Sequence, residues 1–288
     1  MVTLIPESSG PLPEFVAEHA KTSNYTICDF HVPGVEFFTP EPYGYSSLKI
    51  KVVDHHAPDP RWERFISSGA LALEYVKTNE PANEVILNHT DCDSILSAAI
   101  VTGLIPPLPE FGLAAIAADH TGEENPIADL LQDLQHIRDF DLSLQCLNCL
   151  LEGKPIPPAG IKSLETRLYQ RDRAIKLASQ AEMISGIATI TTDSTIDSVL
   201  LVNLLPQAKA IVITLPVHDD PTKSEVKIRL GMAAPAGTSL QRLNITDFLP
   251  GFGCRWNAGS NRRGGGSTLT PSAAAFETST TLSNLLRA

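Results

Sequence analysis

Apolar residues in this chain come in short runs that end on acidic or imidazole side chains. The run from Leu48 alternates with lysine and then becomes fully apolar. Ile50, Val52 and Val53 therefore suit a buried strand, which the prolines at 58 and 60 end. Val85, Ile86 and Leu87 form a second short strand, and the apolar start of a helix follows at 95–100. Residues 25–28 and 112–118 are two further apolar segments of the same kind. In the second half a helical pattern over 161–184 points to Leu164, Leu168, Ile175, Leu177 and Met183 as buried positions. Runs at 186–192, 199–205, 210–215 and 226–230 read as strands, with a helix as the alternative for 198–205.

Strands interleaved with helices predict an α/β protein. The polar, proline-rich stretch around Gly153, Pro155, Pro157 and Pro158 reads as a linker over 153–160. It would separate a domain at 1–152 from one at 161–288. The chain has 288 residues, more than one core usually serves, and each half is long enough to bury its own.

The chemistry lies at the ends of the apolar runs. The first strand ends at Asp54, His55 and His56, and the second at His89, Asp91 and Asp93. The segment 112–118 delivers Asp119 with His120, and 25–28 delivers Asp29 with His31. In open α/β sheets, ligands bind at the carboxyl ends of the strands. A single aspartate there is usually a turn or helix cap. Four segments ending in aspartate, each with histidine within two residues, point instead to one shared metal site. Oxygen and imidazole donors without thiolate suit manganese, magnesium or another divalent first-row ion better than structural zinc.

Composition narrows the partners. The net charge is -11, so a protein tracking long nucleic acid, which presents a broad basic surface, is not expected. No uninterrupted apolar stretch reaches the length of a membrane span. Five cysteines form no disulfide framework, and the first residues lack the order of a secretory signal, so a reducing cytoplasm is expected. Cys146 and Cys149 fit a helix rather than a redox or zinc pair.

Asp54-His55-His56 after a hydrophobic strand resembles the name-giving motif of the DHH phosphoesterases, which include RecJ-type exonucleases, oligoribonucleases, exopolyphosphatases and family II inorganic pyrophosphatases. Ser67 to Val76 resembles the small-residue helix after that motif. Asp91 and Asp93 resemble the family's Asp-x-Asp, and Asp119-His120-Thr121-Gly122 its Asp-Thr-Gly. Asp29 falls where the family's bridging aspartate would. Gly251, Gly253, Ala258 and Gly259 match the glycine loop of the DHH-associated domain, and Arg229 lies on a strand similar to the one before that loop. Three features depart from the family. Asp-x-Asp follows Asp-His-His in the chain, so the motif order is permuted. One residue separates His89 from Asp91, against two in the pyrophosphatase-like members. Cys254 stands where the family has a substrate-contacting histidine.

The resemblance implies a mainly parallel N-terminal sheet with flanking helices carrying the metal site, and a smaller C-terminal α/β domain that binds substrate. It implies a metal-dependent phosphohydrolase with two manganese ions per chain, magnesium or cobalt being alternatives, sharing a carboxylate about 3.5–4 Å from ion to ion and activating a water. Asp91 and Asp93 would each ligate one ion, with His55 and Asp119 on the second and His89 as an additional ligand. Asp29 is the bridging candidate and Asp119 the alternative. His56 would contact the scissile phosphate or protonate the leaving group, and Asp54 would orient His55. Glycine-loop amides suit an anion, and Arg255, Arg262 and Arg263 suit phosphate oxygens, so these join Arg229, Gly251, Gly253, Cys254 and Gly259 as substrate-binding candidates. The expected substrate is small and phosphorylated, or a short oligonucleotide. Inorganic pyrophosphate or short polyphosphate, and a catalytically degenerate regulatory module, are the alternatives. A second copy of the chain is the other partner expected.

Overall fold

The computed structural model describes residues 1–5, 24–32, 34–56, 59, 61 and 65–285. The chain divides into two compact units, Met1–Leu168 and Tyr169–Ala288. In the first, the described strands are β1 (Val2–Leu4), β2 (Tyr25–Cys28), β3 (Thr39–Glu41), β4 (Gly44–Ser46), β5 (Ile50–Val53) and β6 (Val85–Leu87), in the sheet order β1-β6-β2-β5-β4-β3. β1, β6, β2 and β5 run parallel, and β4 and β3 close one edge antiparallel. Tyr25, Ile27, Ile50, Val52 and Ile86 pack into one apolar cluster, while Cys28, Val53, Val85 and Leu87 pack into another. Strands buried on both faces need apolar residues at successive positions, which is why these runs are short and nearly unbroken.

Helices α1 (Ser68–Thr78), α2 (Cys92–Val101), α3 (Pro109–Ile116), α4 (Pro126–Leu131) and α5 (Phe140–Leu151) follow. The first three share the cluster of Cys28 and Val53. All of α2 is buried, its polar Asp93, Ser94 and Ser97 included. The segment ending at Asp119 is a helix rather than an extended run. Pro109 stands in the first turn of α3, which passes into one π-helical turn, Ala117–Thr121, stopped by Gly122 in the left-handed region (φ 69). Cys146 and Cys149 lie on α5.

α6 (Pro158–Ser179) begins inside the stretch read as a linker, and the division between the units falls within this helix. Its buried positions are Gly160, Ser163, Arg167 and Ala174, whereas Leu168 and Ile175 are exposed. The helix ends before Met183, which lies exposed on β7 (Glu182–Ile184), and Leu164 and Leu177 are half-buried. The helical period holds, but the buried face is a different one, set by Ser163 donating to the Leu130 carbonyl (2.9 Å) and Arg167 beside Asp129 (3.5 Å).

The second unit adds β8 (Ile187–Thr191), β9 (Ala210–Val217), β10 (Asp220–Leu230), β11 (Gly253–Cys254) and β12 (Ala258–Ser260), in the order β11-β12-β10-β9-β8-β7, with α7 (Pro271–Leu285). Among the described strands of this unit, only β8 and β9 pair in parallel. The run at 199–205 is a 3-10 turn, Ser198–Leu201, capped by the Asp197 side chain accepting from Val199 N. Ile187, Val212, Val226 and Ile228 meet Ala274 and Ala275 of α7 on one face, and Ile190, Ile211 and Ile213 form the core on the other. The protein is thus a mixed α/β molecule with two six-stranded sheets.

Candidate metal centre

Three adjacent parallel strands deliver the acidic and imidazole residues to one edge. β2 lies between β6 and β5, with Ile27 opposite Ile86 and Cys28 opposite Val53. Asp29, His89 and the Asp-His-His triplet consequently leave the same end of the sheet. Asp29 N donates to the Val53 carbonyl at 3.0 Å, and its backbone sits in the left-handed region at φ 59, uncommon for a residue with a side chain.

Asp29 is the hub. Its Oδ1 lies 3.5 Å from His55 Nε2 and 3.8 Å from His56 Nδ1, and its Oδ2 lies 3.2 Å from His89 Nε2. His55 Nε2 also faces Asp93 Oδ2 at 3.5 Å and Asp119 Oδ2 at 3.4 Å. His89 Nε2 faces Asp91 Oδ2 at 3.3 Å. Three groups of side chains here can hold a metal ion: Asp29 with His55 and His56, His55 with Asp119 and His120, and Asp29 with His89 and Asp91.

The donor set fits a divalent cation. His55 is fully buried and neither ring nitrogen has a hydrogen-bond partner, although three carboxylates surround Nε2. Orphaned buried polar groups are costly and call for an explanation. Donors about 2.1 Å from one shared ion stand roughly 3.0–3.4 Å from each other, close to the separations around His55 and His89 and too long for good hydrogen bonds.

Without an ion, protons do the neutralising. Burial alone would lower the pKa of His55, but the carboxylates of Asp29, Asp119 and Asp93 raise it to about 10. Burial opposes charge on His89 as well, and Asp91 and Asp29 raise it to about 12. Burial pushes Asp29 up, yet His55 and His89 outweigh it and hold this carboxyl well below the ordinary range. Asp93 goes the other way, pushed up by burial and by the charge of Asp29.

Helix starts fix the remaining carboxylates. Asp91 caps α2, its Oδ1 accepting from Ser94 N at 3.0 Å. Asp93 Oδ2 accepts from Ser68 N (2.8 Å) and its Oδ1 from Gly69 N (2.6 Å), so it holds the first amides of α1. A Cβ on Gly69 would come 2.9 Å from Ala115 Cβ and 3.2 Å from Asp93 Oδ1, so only glycine allows this approach. Asp119 arrives on the π-helical turn.

Asp54 is paired with His56 rather than His55: His56 Nδ1 lies 2.6 Å from Asp54 Oδ1. His56, His89 and Asp91 are the accessible part of the cluster, with side chains 16%, 20% and 14% exposed, against 1% for His55 and Asp93.

Three residues outside the sequence-derived set belong to this cluster. Ser68 and Ser94 both donate to Asp29, and His120 Nε2 bonds the Ile66 carbonyl at 2.7 Å with its ring edge-on to His55. Serines at helix starts are read as caps, which hides the first two. His120 directly follows Asp119 and was legible.

The substrate-binding candidates all lie in the second unit. Arg229 is buried on β10, opposite Ala258 of β12, with Nη1 3.4 Å from Ser198 Oγ. β11 and β12 form a hairpin carrying Gly253, Cys254 and Gly259, and its turn is closed by Arg255 N donating to the Ala258 carbonyl at 2.9 Å. Gly251 adopts φ 72, and a Cβ on Gly259 would meet Cys254 Cβ at 2.4 Å; Gly253 meets neither demand. Burial raises the Cys254 thiol. Arg262 and Arg263 are exposed on the 3-10 turn Arg262–Gly264. Among the described residues no helix is long and apolar enough to cross a membrane.

No family model and no curated protein matches this chain. Solved structures similar to it include a pGpG-specific phosphodiesterase from Vibrio cholerae, at 12% identity and a TM-score of 0.39, covering 63% of this chain and 74% of that one. An exopolyphosphatase-related protein from Bacteroides fragilis is similar at 11% identity and a TM-score of 0.37, covering 96% and 76% respectively. RecJ from Thermus thermophilus, in complex with Mg2+, is similar at 14% identity and a TM-score of 0.34, covering 76% of this chain and 34% of RecJ.

Proposed function

We propose that this protein is a metal-dependent phosphohydrolase, using two divalent cations, manganese first among them, to cleave phosphoester or phosphoanhydride bonds in small phosphorylated substrates or short oligonucleotides. The observation carrying this reading is the division of the Asp29 carboxylate. Its Oδ1 faces His55, which Asp93 and Asp119 also face, and its Oδ2 faces His89, which Asp91 also faces. That arrangement suits one bridging carboxylate between two ion positions and favours Asp29 over Asp119 for the role.

When bound, the ions would supply an activated water and neutralise charge on the phosphoryl oxygens. The residues of the chain do the rest. His55, Asp93 and Asp119 would hold one ion and His89 and Asp91 the other. His56, oriented by Asp54 and more exposed than His55, would contact the scissile phosphate or protonate the leaving oxygen. Arg229, Arg255, Arg262 and Arg263, with the loop amides at Gly251, Gly253, Cys254 and Gly259, would hold the substrate's phosphates.

The permuted motif order is compatible with a DHH-type site. β5 and β6 both neighbour β2, so the order in which the chain visits them does not change which residues meet. The net charge of -11 supports a small substrate over long nucleic acid.

The test is equilibrium dialysis against MnCl2 followed by hydrolysis assays with bis(p-nitrophenyl) phosphate, a dinucleotide and inorganic pyrophosphate. The expected result is about two ions per chain and metal-dependent release of product from at least one substrate. Undiminished hydrolysis by a chelated preparation, or failure to bind manganese, would overturn the reading.

A further inference from the structure

Asp29 is a buried carboxylate oriented by hydroxyls from two helices. Ser68, the first residue of α1, donates from Oγ to Asp29 Oδ1 at 2.9 Å. Ser94, in the first turn of α2, donates to Asp29 Oδ2 at 2.8 Å. Both serines are buried. A left-handed backbone at an aspartate persists only where its surroundings hold it, and these hydroxyls are part of that support.

Each carboxylate oxygen has two in-plane lone pairs. Ser68 takes one on Oδ1, leaving the other for the side of His55. Ser94 takes one on Oδ2, leaving the other for the side of His89. We infer that Ser68 and Ser94 are positioning residues that fix the rotation of the Asp29 carboxylate, so that each oxygen serves a different cation. This rests on the two-cation reading above.

Ser94 has a second task. Its Oγ also lies 2.9 Å from Asp91 Oδ1, and one hydroxyl proton serves one carboxylate at a time. Asp29 and Asp91 thus share this hydroxyl beside His89. Ser68 has no counterpart link to Asp119 among the described hydrogen bonds, so the two serines are not equivalent. Loss of Ser94 disturbs two candidate ligands and loss of Ser68 one.

The experiment is manganese binding by equilibrium dialysis, with electron paramagnetic resonance of the loaded protein, on the wild type, Ser68→Ala, Ser94→Ala and the double variant. Two manganese ions sharing a carboxylate give an exchange-coupled spectrum that a merely structural role of the serines would not alter. The wild type is expected to bind two coupled ions. Each single variant should bind its weaker ion about 10-fold less tightly, Ser94→Ala more so than Ser68→Ala, and the double variant should lose the coupled signal. If the alanine variants fail to fold, the near-isosteric Ser68→Cys and Ser94→Cys are measured, with the same order expected. Two coupled ions of unchanged affinity in every variant would overturn the inference while leaving the two-cation reading intact. A wild type that binds fewer than two ions would overturn both.

Discussion

Gly69 N donates to Asp93 Oδ1 at 2.6 Å, so a residue that looks like a metal ligand is also the anchor of a helix. Ser68 N occupies the other oxygen. An asparagine at 93 would set its NH2 against one of these amides, donor against donor. Asp93→Asn is therefore expected to cost about 1–3 kcal/mol for the unsatisfied amide. Thermal denaturation in chelator measures this. A variant as stable as the parent would show that the helix does not depend on the carboxylate.

Asp91 divides its two carboxylate oxygens between a helix cap and the candidate metal centre. Its Oδ1 caps α2 and its Oδ2 faces His89 at 3.3 Å. Asparagine caps helices about as well as aspartate but is a far poorer ligand to a hard cation. Asp91→Asn should melt lower in chelator, from loss of the charge beside His89 rather than of the helix cap, and should lose manganese affinity by an order of magnitude or more. Isothermal titration with MnCl2 reads the second quantity, and unchanged affinity would remove Asp91 from the site.

Much of this centre was legible from the sequence because strands buried on both faces leave a plain signature. β2, β5 and β6 stand where the apolar runs do, and their ends carry Asp29, Asp54–His56 and His89. The segment before Asp119 was harder, since small apolar residues such as Ala114 and Ala115 suit a buried strand or a buried helix alike. Pro109, which opens α3, is the one local sign favouring helix. The buried face of α6 was misread for another reason. Apolar count favours Leu168 and Ile175, but a buried Arg167 beside Asp129 turns the helix to a polar contact that periodicity does not register. The pairing of Asp54 with His56 depends on side-chain direction past the strand end, which sequence spacing alone did not supply.

The raised histidines set a pH dependence with a definite sign. His55 stands at about 10 in the folded, metal-free protein against roughly 6.5 when unfolded, so the stability it contributes is complete below pH 6.5 and is lost as pH rises toward 10. His89 extends the loss toward 12. Asp29, held low, acts oppositely: its contribution is present above the ordinary carboxylate range and is lost as pH falls through its folded value. Metal-free protein should thus melt at progressively lower temperature from pH 6.5 to 9.5, while manganese affinity rises over that range because ligands must shed their protons. Melting curves in EDTA and in MnCl2 at several pH values check both. A chelated protein that grows more stable over that window would contradict these protonation states.

The glycine-rich hairpin of the second unit makes a separable claim. The backbone of Arg255 closes the β11–β12 turn through its N–H to the Ala258 carbonyl, a bond that alanine also makes. Its guanidinium is the group proposed to meet a phosphate. Arg255→Ala should therefore leave manganese stoichiometry untouched. One lost charge-assisted contact costs on the order of 1.5–3 kcal/mol. If the contact is equal in the ground and transition states, KM rises roughly ten- to a hundredfold while kcat holds. Steady-state kinetics on whichever substrate the wild type cleaves gives the two constants separately. A fall in kcat at constant KM would move Arg255 from holding the substrate to stabilising its transition state, and kinetics identical to the parent's would remove this arginine from substrate binding while leaving the metal centre as it stands.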